Sequence, residues 1–338
     1  MAIDFSDVCY LENPDNITLK ADYKQFLLSL CSPTVIDITC PDSDQWYVIT
    51  TLLHGNEPSG FIALHQWLNQ RPWQNKVNLR FIICSVEAAQ ATPLFSHRFL
   101  PGGKDINRCF NHQENREYYL RANIIEQAIR QVSPVLVVDM HNTSGSSPAF
   151  CVSSHMTKQH LKLASFFCDN VILSHIALGA LMEIDIDCPV ITLECGGCQD
   201  IQANKVAFDA IAILANSVDL TLSHKQAIKV IHHPMRLQLA KDTDLVFALE
   251  DKGDDGVTII ENITQFNYGV CRAGQILGWL DHMGLENLVL IDENQNNVID
   301  DYFYFEDSRL IAACDFQIFM ATTDIAIAQS DCLFYITA

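Results

Sequence analysis

Positive charge is what this 338-residue sequence has least of: 21 Lys and Arg stand against 41 Asp and Glu, a formal net charge of -20. Nucleic-acid binding rests on clustered Lys and Arg that neutralise phosphates, so this balance argues against it. The same deficit argues against an anionic membrane, and an anionic substrate would need a local basic pocket working against the global field. No apolar stretch approaches the roughly 20 residues of a membrane span. The N-terminal MAIDFSDVCYLENPDN has no basic segment followed by an apolar run, so no signal peptide is expected. Internal repeats and low-complexity segments are also missing. The 13 cysteines are odd in number and scattered. Without a secretion signal they read as reduced, mostly core thiols, and a cytoplasmic location is expected. What is present is a 49% hydrophobic, balanced composition, which reads as globular, at a length that suggests two domains.

Taken in order, residues 1–40 read as short strands around a helix near Tyr23 to Leu30, followed by the strand PTVIDITC. A run of strand formers from Trp46 to Leu53 ends at His54-Gly55-Asn56-Glu57, and Pro58 opens a helix with apolar Phe61, Ile62, Leu64, Trp67 and Leu68. Gly55 is expected to let the backbone bend sharply there. Asn78 to Val86 is a second apolar strand, and Glu87 to Glu114 a long polar loop, a length usually functional or mobile. Helices are predicted over Arg116–Val132, Lys158–Asn170 and Gln199–Leu220, and strands over Pro134–Met140 and Pro189–Cys195. Strands apolar on both faces, alternating with helices, predict an α/β sheet covered on both sides. After about Ser223 helical periodicity fades, and LVFAL, GVTII, ENLVLI and CLFYITA lie between Gly, Asn and Asp turns. Two domains are therefore expected, residues 1–222 and a smaller, mainly β domain at 223–338.

Three strand ends carry groups that a dry core does not want: His54 with Glu57, Asp139 with His141, and Glu194. Ligands bind at the carboxyl ends of strands in open α/β sheets. His54, Glu57 and His141 make a His₂Glu set, the ligand type of hydrolytic zinc with an open fourth position. Asp139 shares a strand face with His141 and is placed to accept the free ring N–H of a ligand histidine. Glu194 is a candidate general base. The bland readings are an ordinary buried histidine at 141 and an edge carboxylate at 194.

HGNE at His54–Glu57, DINR at Asp105–Arg108, DMHNT at Asp139–Thr143 and TLECG at Thr192–Gly196 resemble the succinylglutamate desuccinylase/aspartoacylase family, in the family's order. The resemblance implies a zinc-carboxypeptidase-like fold: a mixed sheet flanked by helices, the catalytic domain at 1–222, with a smaller C-terminal mainly-β domain at 223–338 that caps the active site. It implies one zinc per chain, held by His54, Glu57 and His141, with Glu194 passing a proton from water to the leaving amine. Asn107 and Arg108 would hold a substrate carboxylate, and Arg98 would steady the tetrahedral oxyanion. VIDDYFYFE at Val298–Glu306 resembles the family's C-terminal tyrosine segment, which would make Tyr304 a substrate contact. The implied activity is removal of the acyl group from a small N-acyl amino acid, with no nucleic-acid or membrane partner and with a homo-oligomer compatible. Family members acting on acyl-aspartate carry an extra arginine where this chain has the acidic Glu183-Ile184-Asp185-Ile186-Asp187. Those acids either receive a cationic substrate side chain or face solvent.

The alternatives are a carboxypeptidase-like peptidase on short or cell-wall peptides, and a non-catalytic metal-binding protein on the same scaffold. Cys195-Gly196-Gly197-Cys198 fits CxxC at a strand–helix turn, where a thiol pKa can be lowered. No second CxxC completes a zinc site. DENQNNVIDDYF at 292–303 starts like a calcium loop but lacks Gly at position six and Glu at position twelve, so an Asn-rich hairpin is expected. His232-His233-Pro234 reads as a strand start, and the remaining histidines suggest no further metal cluster.

Overall fold

A computed structural model describes residues 3–218, 228–253 and 255–337. The chain divides into two compact units. The first runs through Asn142, Ala149–Ile172 and Ile176–Val230; the second takes Thr143–Pro148, Leu173–His175 and the stretch from Ile231 onward. The expected boundary at 222/223 lies outside the described residues.

Among the described residues nine strands, all but the last residues of β5, β7 and β9 in the first unit, form one mixed sheet: β1 (Cys9–Glu12), β2 (Thr34–Ile38), β3 (Trp46–Thr51), β4 (Asn78–Ile83), β5 (Leu136–Thr143), β6 (Phe150–Ser153), β7 (Asn170–Leu173), β8 (Val190–Gly197) and β9 (Lys229–Ile231). Their order is β1-β2-β4-β3-β5-β8-β6-β7-β9. Central β3 pairs in parallel with β4 and β5, while β2–β4 and β6–β8 are antiparallel. WYVITT is aromatic and β-branched, which suits a pleated surface packed on both faces.

Period-two alternation splits the strand residues between two cores. Tyr47, Ile49, Leu136, Val138, Met140, Ile191 and Leu193 face one core, closed by the helices Tyr23–Ser29, Ser59–Leu68 and Ile201–Asn216. Val48, Ile82, Val137 and Val190 face the other, covered by Ala122, Ile125, Ala128 and Ile129 of helix Glu117–Arg130. Continuing the alternation puts Thr50, Asp139, His141 and Glu194 on this second face. Helices Ser59–Leu68 and Ile201–Asn216 pack on each other. Gly60 permits the close approach of the first to the sheet, since a Cβ there would meet Thr51 Oγ1 at 2.5 Å.

Several expected elements differ. His141 and Glu194 lie inside β5 and β8, which run to Thr143 and Gly197, because the ladder continues past the apolar run. The polar stretch after β4 opens with a helical turn, Val86–Gln90, and carries a 3₁₀ turn at Ile106–Arg108. The helix from Lys158 stops at Ala164, and Val171 and Ile172, both strand formers, enter β7. The long final helix is Ile201–Asn216, and the expected end at Leu220 falls outside the described residues.

The second unit holds two five-stranded sheets built from β10 (Met235–Leu239), β11 (Leu245–Ala248), β12 (Val257–Ile260), β13 (Val270–Cys271), β14 (Ile276–Leu280), β15 (Leu288–Ile291), β16 (Phe303–Glu306), β17 (Arg309–Ala312), β18 (Phe316–Phe319) and β19 (Phe334–Thr337). The orders are β13-β18-β19-β10-β15 and β11-β12-β14-β17-β16. Their inward residues, Leu237, Ile259, Phe303, Phe316 and Phe334 among them, form one core. His232-His233-Pro234 links β9 to β10 and does not start a strand: His233 takes φ +53°, outside the extended region. Among the described residues no helix is long and apolar enough to cross a membrane.

Candidate active site

His54 sits three residues past β3, and the chain turns sharply at Leu52, which takes φ +54°. Gly55 serves a different purpose from the expected bend. A Cβ there would lie 2.6–2.7 Å from Ala89 N, Ala88 C and His97 O, all backbone, so only glycine lets the turn seat against that segment. Helix Ser59–Leu68 begins just after Glu57, and Asn142 caps it from the end of β5: its Oδ1 accepts from Ser59 N–H at 3.0 Å and its Nδ2 donates to Gly196 O at 3.0 Å. One amide thus ties together the three segments that carry His54, His141 and Glu194.

Glu57 lies between the two histidines. Its Oε1 is 2.8 Å from His54 Nδ1 and its Oε2 is 2.7 Å from His141 Nδ1. The imidazoles stand edge to face with centroids 4.9 Å apart, and the three donor atoms lie within 4.8 Å of one another. Each ring is backed by a carboxylate. His54 Nε2 is 3.0 Å from Asp105 Oδ1, and His141 Nε2 is 2.7 Å from Asp139 Oδ2. Asp139 is fully buried and also accepts from Thr50 Oγ1 at 2.6 Å. Asp105 accepts from Asn107 N–H at 2.8 Å and from Arg98 at 3.0–3.1 Å. Arg98 reaches Glu57 Oε1 at 3.5 Å. Glu194, opposite Phe150 across the β6–β8 ladder, is buried, and its Oε2 has no hydrogen-bond partner among the described residues.

The charges explain one another. Burial works to raise Glu57, but the two imidazoles overcome it and hold the carboxyl well below its ordinary range. Burial likewise opposes Asp105, and the charges of His54, Arg98 and Arg108 pull it down. His141 is raised: burial disfavours its cation, and Asp139 and Glu57 outweigh that. Glu194 behaves oppositely. Burial pushes it up to about 7, against the pull of His141 and with a push from Glu57. Four carboxylates face two guanidiniums here, so the ionised site carries two excess negative charges, a dry arrangement that calls for protons on the imidazoles or a divalent cation.

The donor set fits a cation on chemical grounds. Two imidazoles offer Nδ1 with Nε2 held by a carboxylate, the arrangement that fixes tautomer and ring orientation in metal sites. The third donor is a carboxylate already held between them.

Asn107 and Arg108 follow on the turn at Ile106–Arg108. Asn107 Oδ1 accepts from Leu181 N–H at 2.8 Å, and Arg108 Nη1 donates to Asn107 O at 2.8 Å. Tyr304 lies in β16 of the second unit, 40% exposed. Asp105 and Asn142 belong to the quoted motifs, and the sequence alone gives neither a role. Their own residue types were the signal, a carboxylate and an amide beside the expected ligands. Within the acidic stretch, Glu183 accepts from Leu178 and Gly179 N–H, both at 2.9 Å, so it anchors its own loop. Burial raises both Cys195 and Cys198, the reverse of an activated thiol. Asp292 accepts from Asn294 and Asn296 N–H at 2.9 and 2.8 Å, which closes that segment as a turn.

Known proteins bear on this site in three ways. Residues 45–218, just over half of the chain, match the succinylglutamate desuccinylase/aspartoacylase catalytic domain. No curated protein matches the sequence. Among solved structures, a succinylglutamate desuccinylase from Vibrio parahaemolyticus is similar with TM-score 0.59 and 15% identity, over 94% of this chain and 95% of that one. A putative succinylglutamate desuccinylase/aspartoacylase from Shewanella frigidimarina follows at 0.56 and 11%, over 90% and 92%. Murine aminoacylase 3 is similar at 0.51 and 13%, over 88% and 96%. At these identities the structures speak for the fold, a mixed α/β sheet with flanking helices and a further β-rich part, while the catalytic-domain match speaks for descent. The chain belongs to the succinylglutamate desuccinylase/aspartoacylase family, a family of hydrolases that remove acyl groups.

Proposed function

We propose that this protein is a zinc-dependent amidohydrolase that removes the acyl group from a small N-acyl amino acid. The observation that carries the proposal is the convergence of His54 Nδ1, His141 Nδ1 and the Glu57 carboxylate, each imidazole backed by its own aspartate. Zinc, when bound, polarises the amide carbonyl and acidifies water. The protein's own groups supply the rest. Glu194 is buried with one oxygen unpartnered among the described residues, and its carboxyl is raised to about 7. A base of that strength takes a proton from water and returns it to the leaving amine near neutral pH. Arg98, steered by Asp105 and Glu57, brings a fixed positive charge toward the oxyanion that develops on the carbonyl oxygen. Asn107 and Arg108 hold the substrate carboxylate, a task that suits the planar guanidinium fork. Cytoplasmic residence, expected from the reduced cysteines, goes with a small metabolite as substrate.

The test is amine release from a panel of N-acyl amino acids, run on the wild type and on Glu194→Ala. Turnover of one panel member by the wild type and its loss in the variant, with zinc still bound, is the expected result. Unchanged turnover in Glu194→Ala removes that residue from the mechanism. Zinc binding with no turnover of any panel member leaves a metal-binding protein on a hydrolase scaffold.

A further inference from the structure

A second convergence of metal-ligating side chains lies wholly within the second unit. His175 follows β7, His233 lies between β9 and β10, and Glu293 lies in the turn after β15. Their ligand atoms fall within 4.8 Å of one another. His233 Nδ1 is 2.5 Å from Glu293 Oε2, and the His175 and His233 rings stack with centroids 5.4 Å apart and planes 22° from parallel. All three residues are exposed.

An ordinary surface ion pair accounts for His233 and Glu293, and such pairs contribute little. It does not account for a second imidazole brought against the first from a loop about 58 residues away in sequence. Nor does it account for His233 holding a left-handed φ of +53°, a conformation that persists where the surroundings demand it. Another group of this kind provides a contrast. Asp255, Asp281 and His282 also lie together, but Asp281 accepts from Gly256 N–H, Met283 N–H and Asn287 Nδ2, so both its oxygens are already engaged in holding the turns around it.

We propose that His175, His233 and Glu293 form a second divalent-cation site on the second unit. Two imidazoles and one carboxylate select Zn²⁺, Ni²⁺ or Cu²⁺ over Mg²⁺ and Ca²⁺, which prefer all-oxygen sets. Exposure leaves the remaining coordination positions to water. The bound ion fastens three loops of the second unit to one point.

The test uses the full-length protein, stripped of metal and dialysed to equilibrium against buffered Zn²⁺, with bound zinc counted by elemental analysis. The double variant His175→Ala/His233→Ala is expected to hold one ion fewer per chain than the wild type. His54→Ala/His141→Ala is expected to lose the other ion independently. An unchanged count in His175→Ala/His233→Ala overturns the proposal, whatever happens at the first site, and a lost ion there supports it even if the hydrolase reading fails. Glu293→Gln keeps the side-chain shape and guards against a folding artefact. It is expected to weaken zinc binding by the surface site about tenfold or more, and a smaller effect removes Glu293 from the ligand set.

Discussion

Asp139→Asn isolates the contribution of the carboxylate behind a ligand histidine. Asp139 is fully buried between two partners: its Oδ1 accepts from Thr50 Oγ1 at 2.6 Å and its Oδ2 faces His141 Nε2 at 2.7 Å. With aspartate accepting at Nε2, the neutral form of His141 keeps its proton there and presents Nδ1 for ligation. Asparagine is nearly isosteric but has one acceptor oxygen. While Thr50 continues to donate to that oxygen, the amide NH₂ points at Nε2, and His141 must accept there. The proton then moves to Nδ1, where a metal would bind. Turning the amide over restores the useful tautomer but leaves the buried Thr50 hydroxyl proton without its acceptor. Loss of such a supporting carboxylate typically costs 10–100-fold in metal affinity or activity, about 1.4–2.7 kcal/mol at about 1.36 kcal/mol per tenfold. Chelator competition measures the zinc dissociation constant, and Asp139→Asn is expected to raise it by that factor. Adding Thr50→Val frees the amide to turn, so Asp139→Asn/Thr50→Val should bind zinc more tightly than Asp139→Asn alone. Equal affinity of Asp139→Asn and the wild type, or no recovery in the double variant, refutes the reasoning.

Three further outcomes are expected. Glu194 stays protonated below its raised value of about 7, so kcat/KM should fall about tenfold per pH unit on the acid side. A bound cation pulls that limb to lower pH, and an acid limb that is absent altogether, or that is unchanged in position and slope in Glu194→Ala, contradicts Glu194 as base. The same shift has a stability consequence: burial favours the neutral carboxyl, and that contribution is lost as pH rises through about 7. Metal-free Glu194→Gln should therefore melt higher than metal-free wild type at pH 8, and an equal or lower Tm contradicts the burial argument. Gly55→Ala places a methyl 2.6–2.7 Å from three backbone atoms and should cost about 1–3 kcal/mol in chemical denaturation, with reduced zinc affinity because His54 is adjacent. An unchanged midpoint contradicts the packing assignment.

The legibility of this molecule in its sequence follows the range of the interactions. Alternation along PVLVVDMHNT places Asp139 and His141 on one face, and the structure has them bonded to each other. TLLHGNEPSG shows its strand, turn and helix because each has a local signature. Asp105 is different. It sits in a long irregular loop with no periodicity, and its meeting with His54 across 51 residues is a tertiary event. The same holds for Asn142, whose side chain joins Ser59 and Gly196. The strand β6 was hidden because its four residues carry too short a pattern to stand out. His175 and His233 have no informative spacing and meet only through the packing of the second unit. Gly55 carried the right identity and a different reason: crowding by Ala88, Ala89 and His97 lies outside any local rule about turns.

The account's central claim is that one divalent ion is held by His54, Glu57 and His141. A crystal of the zinc-loaded protein, measured at the zinc absorption edge, tests it most directly. The account predicts an anomalous peak about 2.0–2.2 Å from His54 Nδ1, His141 Nδ1 and a Glu57 oxygen. Zinc-loaded crystals with no peak among these three side chains would contradict it.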